Sequence, residues 1–200
     1  MSEGYEFGLL LAGAGLPALA LLLALSSAWE RGEMLRSRLD AAALWALCGL
    51  AVFLACAAVV GSAETMNLRN VVRAQANTDL YLLTQPAAAA IYIVSLVLAS
   101  HESALEPVFG RRGIRRTLWV VLLAVAASLL GAIVFLGGGS GPLAPAQIWV
   151  VLKSAGLVAV VALARRAFSQ VRTGPRLAIA WGACFVGLLN LAITVLRASL

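Results

Sequence analysis

Between Gly138 and Arg166 the chain reads GGSGPLAPAQIWVVLKSAGLVAVVALARR, a Gly/Pro-rich segment, an apolar run and a closing pair of arginines. The run is about twenty residues long, the length an α-helix needs to cross the hydrocarbon core of a bilayer. One lysine, Lys153, interrupts it. A charge at that depth is costly and invites a functional reading, and a proton path through it would require carboxylate neighbours.

Five other apolar runs accompany it: Phe7–Trp29, Ala41–Gly61, Gln85 to Ser100, Thr117–Leu136 and Leu177–Leu196. Pro17 lies inside the first, where lipid-embedded helices tolerate it. With 62% hydrophobic residues, 12% charged residues and a mean hydropathy of +0.95, a water-soluble domain is excluded. Ser62–Leu83 is mixed: Met66, Leu68, Val71 and Val72 alternate with Arg69, Asn70 and Arg73, a pattern that predicts a short interfacial helix. Gly137–Gln147 is too rich in Gly and Pro to be helical. The expected fold is all-α, one polytopic membrane bundle of about six transmembrane helices over residues 1–200. The first run is preceded by Glu3 and Glu6 without a basic residue and is too long for a signal peptide, so it is expected to be retained.

Charge orients the bundle. The connectors 30–40, 101–116 and 165–176 hold eleven arginines, against three (Arg69, Arg73 and Arg197) elsewhere. The positive-inside rule then puts those connectors in the cytoplasm and both termini outside. The arginines form no continuous stripe, so the high pI does not indicate nucleic acid. Arg111, Arg112, Arg115, Arg116, Arg166, Arg172 and Arg176 are candidates for docking a cytoplasmic partner or lipid headgroups; setting topology is the plainer role for them.

The nine acids (Glu3, Glu6, Glu30, Glu33, Asp40, Glu64, Asp79, Glu102 and Glu106) all avoid the middle of the expected spans, and the single histidine, His101, lies in a connector. Lys153 therefore has no carboxylate company inside the chain. Two readings stay open: it tunes an ion path shared with another subunit, or it snorkels or pairs with a backbone carbonyl about 10 Å below the outer surface. Cys48, Cys56 and Cys184 match no metal pattern, and no catalytic motif is present. Neither a catalytic residue nor a bound cofactor or metal is expected.

The segment Gly141–Lys153, GPLAPAQIWVVLK, resembles part of the H subunit of the bacterial NADH–quinone oxidoreductase, respiratory complex I, and of related membrane-bound hydrogenase subunits. That family has a Gly-Pro-Leu hinge, a Trp, a Lys four residues later and an apolar run ending in arginine, matched by Gly141, Pro142, Trp149, Lys153 and Arg165. Arg172, Trp181 and Asn190 continue the likeness, as do N-V-V-R-A-Q (Asn70–Gln75) and Gln85-Pro86 upstream. A helix-borne glutamate of the family falls at Trp45, its acidic cytoplasmic loop is reduced to Glu102 and Glu106, and its first helix and quinone-cavity segment have no counterpart.

The resemblance implies a subunit that anchors or couples the membrane and cytoplasmic parts of a redox complex and contacts other membrane subunits and lipid. It also implies loss of the quinone site and carboxylate relay. If charge moves through the chain, Lys153 is the residue to carry it, with Trp149 and Arg165 shaping its surroundings. The competing expectations are a standalone transporter or channel and a remnant whose pump function has gone.

Overall fold

The structure, a computed structural model, describes residues 35–65, 67–77, 79–102, 111–141, 145–168 and 173–199. The apolar run at 7–29 lies outside them. The described residues form α1 (Leu35–Ala63), α2 (Leu68–Asn77), α3 (Tyr81–Thr84), α4 (Pro86–Glu102), α5 (Arg111–Phe135), α6 (Ala146–Phe168) and α7 (Thr173–Ala198). Three of them contain stretches long and apolar enough to cross a membrane, at Ala43–Ala63, Ala146–Phe168 and Pro175–Arg197. Pro86–Ala99 and Ala124–Phe135 are shorter apolar segments of α4 and α5. The chain is thus an all-α bundle with at least three helices of membrane-spanning length.

Helix ends differ from expectation where arginine is concerned. Arg111, Arg112, Arg115 and Arg116 sit in the opening turns of α5, not in a loop, and Arg165, Arg166 and Arg176 are also helical. Arginine is a good helix former, so a helix can run on past the apolar boundary without a break. Proline marks two starts: Pro86 is the first residue of α4, where its missing N–H is no loss, and Pro145 immediately precedes α6 and accepts from the Ile148 and Trp149 amides. Asn67 caps α2, its Oδ1 accepting from the Arg69 amide at 2.9 Å.

The shortest of the apolar runs is the centre of the bundle. Helix α4 packs against α1 and α7 on one side and against α5 and α6 on the other. Ala88, Ala89, Ile91, Tyr92, Ser95, Val97 and Leu98 are all buried along it. Alanines at its start let neighbouring backbones approach closely, the usual route to tight packing where lipid supplies no hydrophobic drive between helices. On the α1/α7 side, Cys184 donates its thiol to the Leu47 carbonyl, Gly187 faces Leu54 and Gly61 faces Thr194. These contacts climb both helices together, so α1 and α7 run parallel.

On the other side, Tyr92 crosses to α5. Its hydroxyl donates to the Ala127 carbonyl at 2.5 Å, and its ring lies 5.3 Å from that of Phe135. Gly131 makes room for it: a β-carbon there would stand 2.7 Å from both the Tyr92 ring and Leu157 of α6. Three helices meet at one missing methyl. Gly131→Val should therefore cost about 1–3 kcal/mol through overpacking, read as a lower unfolding midpoint of the detergent-solubilised protein. Gly182→Val, at a position with open space around it, should leave the midpoint unchanged.

Candidate functional site

Helix α5 ends at Phe135, and its final carbonyls must find donors because the bilayer region offers little water to supply them. Gly137 and Gly138 adopt left-handed backbone angles (φ +70° and +52°) that turn the chain away, and the Gly138 amide folds back onto the Ala132 carbonyl at 3.0 Å. That satisfies one carbonyl. Side chains from two other elements supply donors to the Ile133, Val134 and Leu136 carbonyls.

The first comes from α2. Gln75 is buried, and its Nε2 donates to the Val134 carbonyl at 2.8 Å and the Ile133 carbonyl at 3.3 Å. Val71, one turn earlier on the same face, is fully buried, so α2 is fastened by one apolar and one polar anchor. The Gln75 Oε1 has no partner, a cost accepted for pointing the amide nitrogen at two acceptors.

The second is Lys153 of α6. Its ammonium donates to the Leu136 carbonyl at 2.5 Å and the Ser140 carbonyl at 2.7 Å, with the Ser140 hydroxyl at 3.4 Å. Ser140 Oγ in turn donates to the Gly137 carbonyl at 2.8 Å. A cation beside the negative end of a helix dipole is favourable, and ammonium–carbonyl bonds are charge-assisted. Among the described residues Lys153 is thus compensated by backbone dipoles and not by a carboxylate. The indole of Trp149, one turn before it, adds its face at 5.8 Å. A β-carbon on Gly141 would overlap that indole, which gives the Gly of the Gly-Pro-Leu hinge a physical purpose.

A second polar cluster lies at the same end of the bundle. Gln85, between α3 and α4, donates to Ser62 of α1 at 2.6 Å and to Thr194 of α7 at 3.4 Å. Its Oε1 accepts from Asn190 Nδ2 at 3.1 Å, and Thr194 donates to the Asn190 carbonyl at 2.9 Å. One glutamine thereby ties three helices together.

The remaining residues singled out from the sequence do not converge on Lys153. Arg165 lies twelve residues further along α6, about 18 Å away at 1.5 Å per residue. Arg166 is exposed beside it, whereas Arg176 is turned inward at the first turns of α7, with only 9% of its surface exposed. Arg172 and the side chains of Arg111, Arg112, Arg115 and Arg116 lie outside the described residues. Trp45, where the family's glutamate would fall, is buried. Among the described residues no three His, Cys, Asp or Glu side chains gather in a way that could hold a metal.

The roles of Gln75 and Gln85 were not foreseen from the residues alone. The signal available was a lone amide at the end of an otherwise apolar face. Lys153→Met and Gln75→Leu should each destabilise the bundle by about 1–3 kcal/mol, because each leaves buried or part-buried carbonyls at the end of α5 without a donor. Since both cap the same helix end, the double variant should depart from additivity by about 0.5–3 kcal/mol in unfolding measured in mixed micelles. Strict additivity would show that the two caps act independently.

No family model matches the chain. It is 29% identical over 160 residues to the H 2 subunit of the NADH-quinone oxidoreductase of Syntrophobacter fumaroxidans, covering 72% of this chain and 48% of that protein. Proteins of the same description from two strains of Cereibacter sphaeroides are 29% identical over 147 residues, covering 66% of this chain and 46% of theirs. The chain spans about half the length of the curated relatives it matches. At this level of identity it is a distant homologue of the H-subunit family of NADH-quinone oxidoreductases, a diverged multi-pass relative.

Proposed function

We propose that the chain is an integral membrane subunit of a complex I-type redox assembly, anchoring or coupling its membrane and cytoplasmic parts, with the chemistry done elsewhere. The similarity to the H subunits of NADH-quinone oxidoreductases supports the assembly. The observation that carries the anchoring role is the way Lys153 is used: its ammonium is held by the Leu136 and Ser140 carbonyls, closing α5 onto α6. A lysine committed to a helix end serves architecture first. The burial of Trp45 where the family carries a glutamate favours loss of the carboxylate relay and, with it, of the quinone site. Any charge coupling by Lys153 then requires a partner on a neighbouring subunit.

The exposed outer faces of α6 and α7 suit such an assembly. Val151, Leu152 and Leu163 on α6 and Trp181, Phe185 and Leu196 on α7 all project outward, toward lipid or adjoining membrane subunits. The opening turns of α5 and the end of α6, which carry Arg111, Arg112, Arg115, Arg116, Arg165 and Arg166, lie on the cytoplasmic side in this reading, toward its peripheral arm.

Purification from the native membrane in mild detergent tests the reading. Co-migration with NADH–quinone oxidoreductase-type subunits is expected. A lone homo-oligomer that transports solute in liposomes would overturn it in favour of a standalone transporter. Orientation is checked separately with reporters fused after Leu200: alkaline phosphatase should be active there and green fluorescent protein dark. The reverse pattern would invert the proposed topology.

A further inference from the structure

The arginines of α2 take no part in anything described above. The helix has two faces. Leu68, Val71, Val72 and Gln75 turn toward the bundle, with Val71 and Gln75 buried, while Arg69, Asn70 and Arg73 are exposed. Arg69 and Arg73 are four residues apart, so their side chains leave the helix from adjacent turns with Cβ atoms about 5–6 Å apart. Like charges at that spacing repel each other. Neither guanidinium has a hydrogen-bond or ion-pair partner among the described residues. The nearest acids in sequence, Glu64 and Asp79, lie outside the helix, one before and one after it.

The position of α2 decides what it meets. It packs across the end of the bundle, touching α1 and α5 where those helices finish, and its Gln75 is fixed to the last turn of α5. An amphipathic helix held at the ends of membrane-spanning helices lies at the level of the headgroups. The adjoining α3 supports that depth independently: Leu82 and Leu83 are exposed there, Leu83 by 69%. Gly137 packs between the two elements, with Leu80 and Gln75 both beside it. Exposed basic groups on α2 and uncovered leucines on α3, at the same end of the bundle, fit a bilayer interface, with the leucines entering the acyl region and the guanidiniums at phosphate height. They do not fit a soluble acidic partner, which would leave the leucines in water.

We infer that the Arg69–Arg73 face of α2 binds the phosphate of an anionic phospholipid. Guanidinium pairs phosphate oxygens in a bidentate fork, and two forks one turn apart grip one headgroup or two neighbouring ones. The bound anion removes the repulsion between the two arginines and holds α2 against the bundle end.

Hydrogen exchange resolved to residues 67–77 tests this with the full chain in phosphatidylcholine nanodiscs, prepared with and without phosphatidylglycerol. Phosphatidylglycerol should slow exchange across α2 several-fold. The Arg69→Gln/Arg73→Gln variant should lose that slowing while its α4 amides remain as protected as in the parent. Equal exchange of α2 in the two lipid compositions would overturn the inference, including the case in which the arginines matter for a protein partner instead. So would phosphatidylglycerol-dependent protection that survives in the variant.

Discussion

Everything at one end of this bundle depends on the carbonyl groups that α5 leaves unpaired at its last turn. In water such groups are trivial to satisfy. Near a bilayer core each must be met by the protein, and the chain meets them with a glutamine from α2, a lysine from α6 and its own glycine turn. That single requirement fixes three things: the docking of α2, the closure of the α5–α6 pair, and the conformation of the Gly137–Gly141 turn. The lysine that looks like a defect in an apolar helix is the donor that a neighbouring helix lacks.

The opposite design holds for α4, where geometry and not charge is limiting. It is the shortest of the principal helices and touches four others. Alanines at its start and Gly131 on α5 opposite Tyr92 remove bulk where backbones converge. Polar groups are then spent sparingly, at Tyr92 in the interior and at Gln85 where the helix begins. Packing sets the middle of the bundle, and hydrogen bonds set its end.

Much of this was legible in the residues. The length of the apolar runs located the long spans, the alternation around Val71 announced α2, and Gly and Pro marked the turn after α5. The pairing of Lys153 with a backbone carbonyl was one of two readings that the acid census left open. What could not be read was which backbone carbonyl would receive it, since that depends on where α5 stops relative to α6. Gln75 and Gln85 were hidden for the same reason: an amide has no charge to betray a partner, and both partners are long-range. The extension of helices through their arginines was also missed, because hydropathy falls at the membrane boundary whereas helical hydrogen bonding does not.

The lysine–carbonyl contact also bears on how such a chain is made. A helix carrying a lysine in the outer third of its membrane segment is penalised when it partitions alone into lipid, by less than the about 2.5–3.5 kcal/mol that applies at a helix centre. The acceptors that offset this penalty belong to the preceding helix and to the short turn between them, so they are already synthesised when α6 emerges. The α5–α6 hairpin can therefore enter the bilayer as one unit, with its charge neutralised by dipoles before it meets hydrocarbon. Biogenesis and final architecture then rest on the same two bonds.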